Sequence, residues 1–264
     1  MPPRPRPLSI TITPLKIPTV NIGEDLGEIL AEAIKRQGQR IANGDVIAVA
    51  SKVVSIAEAR IANLSEVLVS RRANRLAAKW KMRKELAQVV IDEADAILGG
   101  VDGFMLTLKD TFLTANAGID QKNSPSGTVS LWPTNPRSSA KRLRIQIEKK
   151  FNRRLGIAIV DSRVTPLRLG TTGLAIGLSG FIPIRDERGR SDLYGRTIRF
   201  TQTNVADDLA SAAHLLMGET RERIGAVIVK NAQVELREPK ALASTASLRR
   251  EKCLITRNLR KQLW

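Results

Sequence analysis

The 264-residue chain has one cysteine, Cys253, and one histidine, His214. A single cysteine excludes an internal disulfide framework and any multi-cysteine zinc site. The lack of disulfides fits a cytoplasmic setting. A single histidine makes any Ser-His-Asp or Cys-His mechanism depend on that one residue. His214 lies in the helical phrase SAAHLLMG, where a packing role is the simpler reading. Aromatic residues make up only 3 % of the chain and are scattered, so a platform for stacking nucleic-acid bases is not in view. No apolar run approaches the roughly 18 residues a membrane span needs. Any catalysis must therefore run on carboxylates, hydroxyls, lysine, arginine or metals held by oxygen.

What the chain does have is positive charge. There are 43 Lys and Arg against 26 Asp and Glu, a formal net charge of +17. Three stretches, 71–84, 137–154 and 240–264, carry more than that whole excess, so the remainder is slightly acidic. Such a field suits nucleic acid, but it suits anionic small substrates equally well. The first residues, MPPRPRP, have no apolar stretch behind their arginines and do not form a secretory signal. Residues 1–8 are expected to be a mobile Pro/Arg-rich arm, with one domain over 9–264.

Along that domain, Ile10–Leu15 alternates as a strand, and residues 25–36 have helical spacing with Asp25 as cap. Asn43-Gly44-Asp45 is a turn before the buried strand VIAVA. Residues 71–97 are expected to be one long helical region and 138–154 a second basic helix. Strands are expected at 104–115, paired around Lys109-Asp110, at Leu155–Val160, at Arg199–Thr203 and at 226–230. Ala206–Met217 reads as a helix ending at Gly218, and 241–263 as a terminal helix. Strands and helices without a regular βαβ rhythm predict an α+β fold, with mixed sheets and packed helices.

Two carboxylates stand out. Asp120 lies in the polar loop ANAGID, with Asn123 three residues on, and Asp161 follows an apolar strand. Each is either a turn or cap residue or an oxygen ligand for a hard cation such as Mg²⁺ or Mn²⁺. Ser51-Lys52 follows VIAVA, where a lysine can meet a phosphate or simply lie in water. Gly170–Gly180 is dotted with glycine but matches neither common phosphate-binding fingerprint, and reads as a turn or a phosphate cradle.

Read in order, ANAGID, a strand ending in Asp-Ser, GLAIGLSG, SDLYGR and VADDLASAAHLLMGE resemble the coenzyme F420-0:γ-glutamyl ligase family from about Ile12 to Lys230. The resemblance implies a γ-glutamyl ligase-like α+β fold, with two intertwined subdomains, in a homodimer. It implies an enzyme that uses GTP to activate the terminal carboxylate of the phospholactyl precursor F420-0. The amine of L-glutamate then forms an amide, adding one or two glutamyl units. Two divalent ions, Mn²⁺ or Mg²⁺, and a monovalent cation such as K⁺ are implied. By position, Asp120, Asp161, Ser162 and Glu219 match metal ligands, and Asp120 and Asp161 the catalytic pair. Ile17, Pro18, Thr19, Val20, Ser51, Lys52 and Asn123 match nucleotide contacts. So does the loop Met217, Gly218, Glu219, Thr220, Arg221, Glu222, Arg223 and Ile224.

The chain departs from the family pattern twice. Where members read S-K-A-E-G-R, this chain has Ser55-Ile56-Ala57-Glu58-Ala59-Arg60, so Ile56 replaces a lysine expected at phosphate and Lys52 is the candidate substitute. The usual D-T-x-G-R becomes Asp161-Ser162-Arg163-Val164-Thr165, with Arg163 or Arg168 as candidates for the displaced charge. Two alternatives follow: a GTP- and metal-dependent ligase acting on another anionic acid, or a nucleic-acid-binding protein that has lost catalysis. The oxygen donors kept at all four metal positions argue against the second.

Overall fold

The computed structural model describes residues 9–122, 124–239, 246–248 and 250–258. The expected arm 1–8 and the stretches 241–245, 249 and 259–263 of the expected terminal helix lie outside them. The strands are β1 (Thr11–Lys16), β2 (Val46–Ala50), β3 (Ile61–Asn63), β4 (Ala96–Val101), β5 (Phe104–Lys109), β6 (Phe112–Ala115), β7 (Thr128–Ser130), β8 (Gly156–Val164), β9 (Thr171–Ser179), β10 (Ile184–Asp186), β11 (Gln202–Asn204) and β12 (Ile224–Lys230). The helices are α1 (Leu26–Arg36), α2 (Ser51–Ala57), α3 (Arg71–Lys79), α4 (Lys84–Glu93), α5 (Pro136–Phe151), α6 (Val205–Met217) and α7 (Leu254–Asn258). The α+β expectation holds.

The main sheet has the order β1-β12-β2-β8-β9. Its β2–β8 pair is parallel and its other pairs are antiparallel. Period-two alternation gives it two apolar faces. Ile47, Val49, Ile157, Ile159 and Ile228 pack with Leu30 and Ile34 of α1 and Leu143 and Ile147 of α5. On the opposite face Val46, Ala48, Ala158, Val160 and Val227 pack with Leu209, Ala210 and Ala213 of α6. A third cluster lies under α3 and α4, where Ala73, Ala77, Trp80, Leu86 and Val90 meet Met105, Val129 and Leu131. It sits with the small sheets β4-β5-β6 and β3-β7.

Local chemistry sets the element ends. The Asp25 carboxylate caps α1 by accepting the Glu28 N–H, and Asn135 caps α5 by accepting the Ser138 N–H. Helix α5 begins at Pro136 in the first turn, where a missing N–H costs nothing.

Five expectations are corrected. The single helix over 71–97 is three elements. Lys81 adopts a left-handed φ of 47°, and the Met82 N–H reaches back to the Ala77 carbonyl, closing α3 as glycine usually does. Helix α4 follows, and from Ala96 the chain is strand. The Gly-dotted segment is no turn. It is the buried strand β9, and a side chain on Gly173 would strike the Ala210 backbone of α6, while one on Gly177 would strike Pro136 of α5. Those glycines let helices approach both faces of the sheet. Strand β8 does not end at Asp161 but runs on to Val164. The strand expected at Arg199–Thr203 lies at Gln202–Asn204. In the described part of 241–263, residues 246–248 are not helical and a short 3₁₀ turn, Arg250–Lys252, is separated from α7 at Cys253.

Candidate active site

The parallel pairing of β2 and β8 brings the chain that leaves β2 beside the middle of β8. Ala50 pairs with Val160, and the next residues are Ser51, opening α2, and Asp161. The Ser51 hydroxyl donates to Asp161 Oδ1 at 3.0 Å across 110 residues of sequence. The indole N–H of Trp132 donates to Oδ2 of the same carboxylate. Burial pushes the Asp161 carboxyl up to about 6, with Trp132, the Ser162 N–H and Ser51 pulling it down and the Asp120 charge raising it.

Asp120 follows the strained turn Asn116–Gly118, where Asn116 and Ala117 have φ of 50° and 54°. That turn is held in place because the Asn116 side chain accepts the Met105 N–H at 2.8 Å and Thr107 accepts the Ala117 N–H at 2.8 Å. Asp120 bridges in antiparallel fashion to Ser130, pairs with Lys52 Nζ at 2.6 Å and accepts the Lys122 N–H at 2.7 Å. Glu219 stands just past α6. It meets His214 Nε2 at 3.0 Å and Lys122 Nζ at 3.3 Å. Burial raises the Glu219 carboxyl, but the His214 and Lys122 partners outweigh it and hold the group low.

Ser51, Lys52, Asp120, Asp161, His214 and Glu219 line one cavity of about 1150 Å³. The matched positions Ile17–Val20, Ser51, Lys52, Asp120, Asp161, Ser162 and Met217–Ile224 all contribute to its wall. Asn123 lies outside the described residues. Ile56 faces the cavity where the lysine of the family pattern is displaced. Arg163 and Arg168 do not line it, and Arg163 instead pairs with Asp207 at 3.3 Å. Sequence reasoning did not find Trp132, whose contact with Asp161 carries no local signal. It also set aside His214, which lines the cavity beside Glu219.

The donor chemistry suits a hard divalent cation. Asp161 is a half-buried carboxylate in the cavity wall whose hydrogen bonds come from neutral groups alone among the described residues, an arrangement that leaves its charge in want of a cation. Yet Asp120, Asp161 and Glu219 do not converge as a ready cluster. Among the described residues no three His, Cys, Asp or Glu groups do. Lys52 and Lys122 hold two of the three carboxylates.

The family model described as F420-0:Gamma-glutamyl ligase matches residues 14–231. The coenzyme F420:L-glutamate ligase of Methanocaldococcus jannaschii is 35 % identical over 228 residues, 85 % of this chain and 89 % of that protein. The ligase of the same name from Archaeoglobus fulgidus is 37 % identical over 218 residues, covering 83 % and 86 %. With five ordered motifs, a matching model over most of its length and relatives of this similarity, the chain belongs to the F420-0:gamma-glutamyl ligase family.

Proposed function

We propose that the protein is a GTP-dependent ligase that joins L-glutamate to the phospholactyl carboxylate of F420-0. The observation that carries this reading is the one large cavity that the matched positions share. Its volume exceeds the roughly 300–1,000 Å³ of an ordinary single-ligand site, and it gathers carboxylates, cations and apolar wall from five separate chain segments. Room for a nucleotide and an acceptor together is what phosphoryl transfer between them requires.

In this reading the γ-phosphoryl group of GTP passes to the acceptor carboxylate, giving an acyl phosphate and GDP. The glutamate amine attacks the acyl carbon, phosphate leaves with the bonding electrons, and the nitrogen loses a proton to give the amide. Asp120, Asp161, Ser162 and Glu219 would hold one or two Mn²⁺ or Mg²⁺ ions. Bound there, such ions neutralise phosphate charge that otherwise repels an anionic acceptor. Ile17–Val20 and the 217–224 loop hold the nucleotide, and Lys52, released from Asp120, meets phosphate. The walls position the two reactants, and positioning supplies much of the rate.

A homodimer belongs to the same proposal. Val164, Leu167 and Leu169 at the β8–β9 tip, and Leu193, Tyr194 and Phe200 beyond β10, are exposed apolar side chains. Apolar surface of this kind supports burial against a second copy.

The test incubates purified protein with F420-0, L-glutamate, GTP and Mn²⁺ and follows product mass. Gain of one or two glutamyl units with GDP release is expected, and its absence in wild-type protein overturns the assignment. A second reading, ligation to a different anionic acid, is favoured by Ile56 in the cavity wall. Phosphate release from GTP with other acids, but not with F420-0, would select it.

A further inference from the structure

Trp132 is fully buried, yet it sits in no regular element, two residues past β7. Its ring meets Phe112 edge-to-face, with centroids 5.5 Å apart. Its N–H side lies where any side chain on Gly118 would have to go. Its backbone is pinned as well: Arg60 Nε donates to the Trp132 carbonyl at 3.0 Å, and the Leu131 N–H donates to the Arg60 carbonyl at 2.9 Å. Arg60 is itself fixed by two 2.8 Å hydrogen bonds to the Glu93 carboxylate, which also binds Lys109. A buried indole needs an acceptor, and a backbone carbonyl would serve. This one is aimed at a carboxylate in the cavity wall.

We infer that Trp132 is a positioning residue, whose indole N–H and the Ser51 hydroxyl together fix the plane of the Asp161 carboxylate toward the cavity. Each Asp161 oxygen receives one donor, Ser51 on Oδ1 and Trp132 on Oδ2. A carboxylate offers about four lone-pair sites, so one on each oxygen stays available for a ligand. Donation to a charged acceptor is about twice as strong as between neutral groups, so the indole holds an orientation that packing alone would leave free to rotate. The Glu93–Arg60 pair braces the clamp without touching the cavity. The inference rests on the proposed role of Asp161 in ligation.

The test places 3-benzothienylalanine at position 132 by codon suppression. Sulfur then replaces the N–H with almost no change in shape. The expected result is a kcat lower by about 10- to 100-fold, as for a misplaced reacting group, with KM for GTP within about threefold and a thermal unfolding midpoint lowered only by the loss of one hydrogen bond. Unchanged kcat overturns the inference. A loss of KM alone overturns it too, because it would indicate binding rather than orientation. A second measurement stands apart from turnover. In metal-free protein labelled with ¹⁵N-tryptophan, the Trp132 indole resonance, identified by its loss in Trp132→Phe, is expected to lie downfield and to move upfield in Asp161→Asn. An indole resonance indifferent to Asp161→Asn shows that no clamp exists and overturns the inference even if the wild type ligates glutamate. Conversely, a wild type without turnover but with a responsive indole overturns the ligase assignment and keeps the clamp.

Discussion

The role proposed for Asp161 works against stability within one side chain. Its folded carboxyl titrates near 6 against an ordinary 3.8, because burial penalises the charge. The folded state therefore holds this proton more tightly than the unfolded state does. The group's favourable contribution is complete below about pH 4 and is lost as pH rises through 6. Asp161→Asn removes that penalty. In metal-free buffer at pH 8 we expect the variant to be more stable than wild type by up to about 3 kcal/mol, the gap closing between pH 6 and pH 4. It should also lose ligation. Thermal unfolding across pH checks the first expectation and product mass the second. Glu93 behaves in the opposite way. Burial raises its carboxyl, but Lys109 and Arg60 outweigh this and hold it below 4.5. Its stabilisation is present above that value and fades as pH falls through the lowered one. Glu93→Gln should cost about 2 kcal/mol at pH 7, less than a fully buried pair, measurable as a lower denaturation midpoint.

At the scale of elements, glycine decides how closely the layers pack. A Cβ on Gly173 meets backbone atoms of Ala210 and Ser211, which cannot rotate away as a side-chain tip would. Gly173→Ala should destabilise by about 1–3 kcal/mol through overpacking, shifting the urea midpoint with little change in slope. The same glycines show why parts of the fold were hard to read. A Gly-rich string looks like a turn until the opposing helix backbone is known. Helix α1, strand β2 and helix α6 were legible because periodicity, caps and turns all agreed. The break between α3 and α4 was not, because the left-handed residue is Lys81, which carries no local signal. In the cavity, Asp120 and Asp161 could be singled out as residues but not joined. The Ser51–Asp161, Lys52–Asp120 and Trp132–Asp161 contacts all cross long stretches of chain.

For the molecule as a whole, the charge is unevenly placed. Helix α5 has three of its six basic side chains in ion pairs: Arg142 pairs with Glu58, Arg144 with Glu148 and Glu238, and Lys150 with Glu28. Helix α3 presents Arg71, Arg72, Arg75 and Lys79 with no acid on the same helix. Long-range attraction of anionic substrates should therefore weaken with salt. We expect kcat/KM to fall as ionic strength rises from about 0.01 to 0.15 M, where the Debye length shortens from about 30 to 8 Å. A kcat/KM independent of salt would remove any steering role for α3. The apolar arms belong to this scale as well. If the proposed homodimer forms through them, light scattering is expected to give wild type twice the 29.0 kDa single-chain mass and the combined variant Leu167→Ser, Leu169→Ser and Leu193→Ser the single-chain mass.

The sheet order also dictates a sequence of events in time. Strand β12 lies between β1 and β2, so β1 finds its sheet partner about 200 residues later in the chain. At about 5–20 residues per second, a ribosome needs at least ten seconds to make that stretch, and part of it is still in the exit tunnel when synthesis passes Lys230. Strands β2, β8 and β9 can pair while the chain is still growing. The first strand, and the Ile17–Val20 wall that follows it, must wait for the strand that reaches the sheet last. Nascent chains halted before Ile224 would carry Asp161 and its clamp but no closed cavity wall.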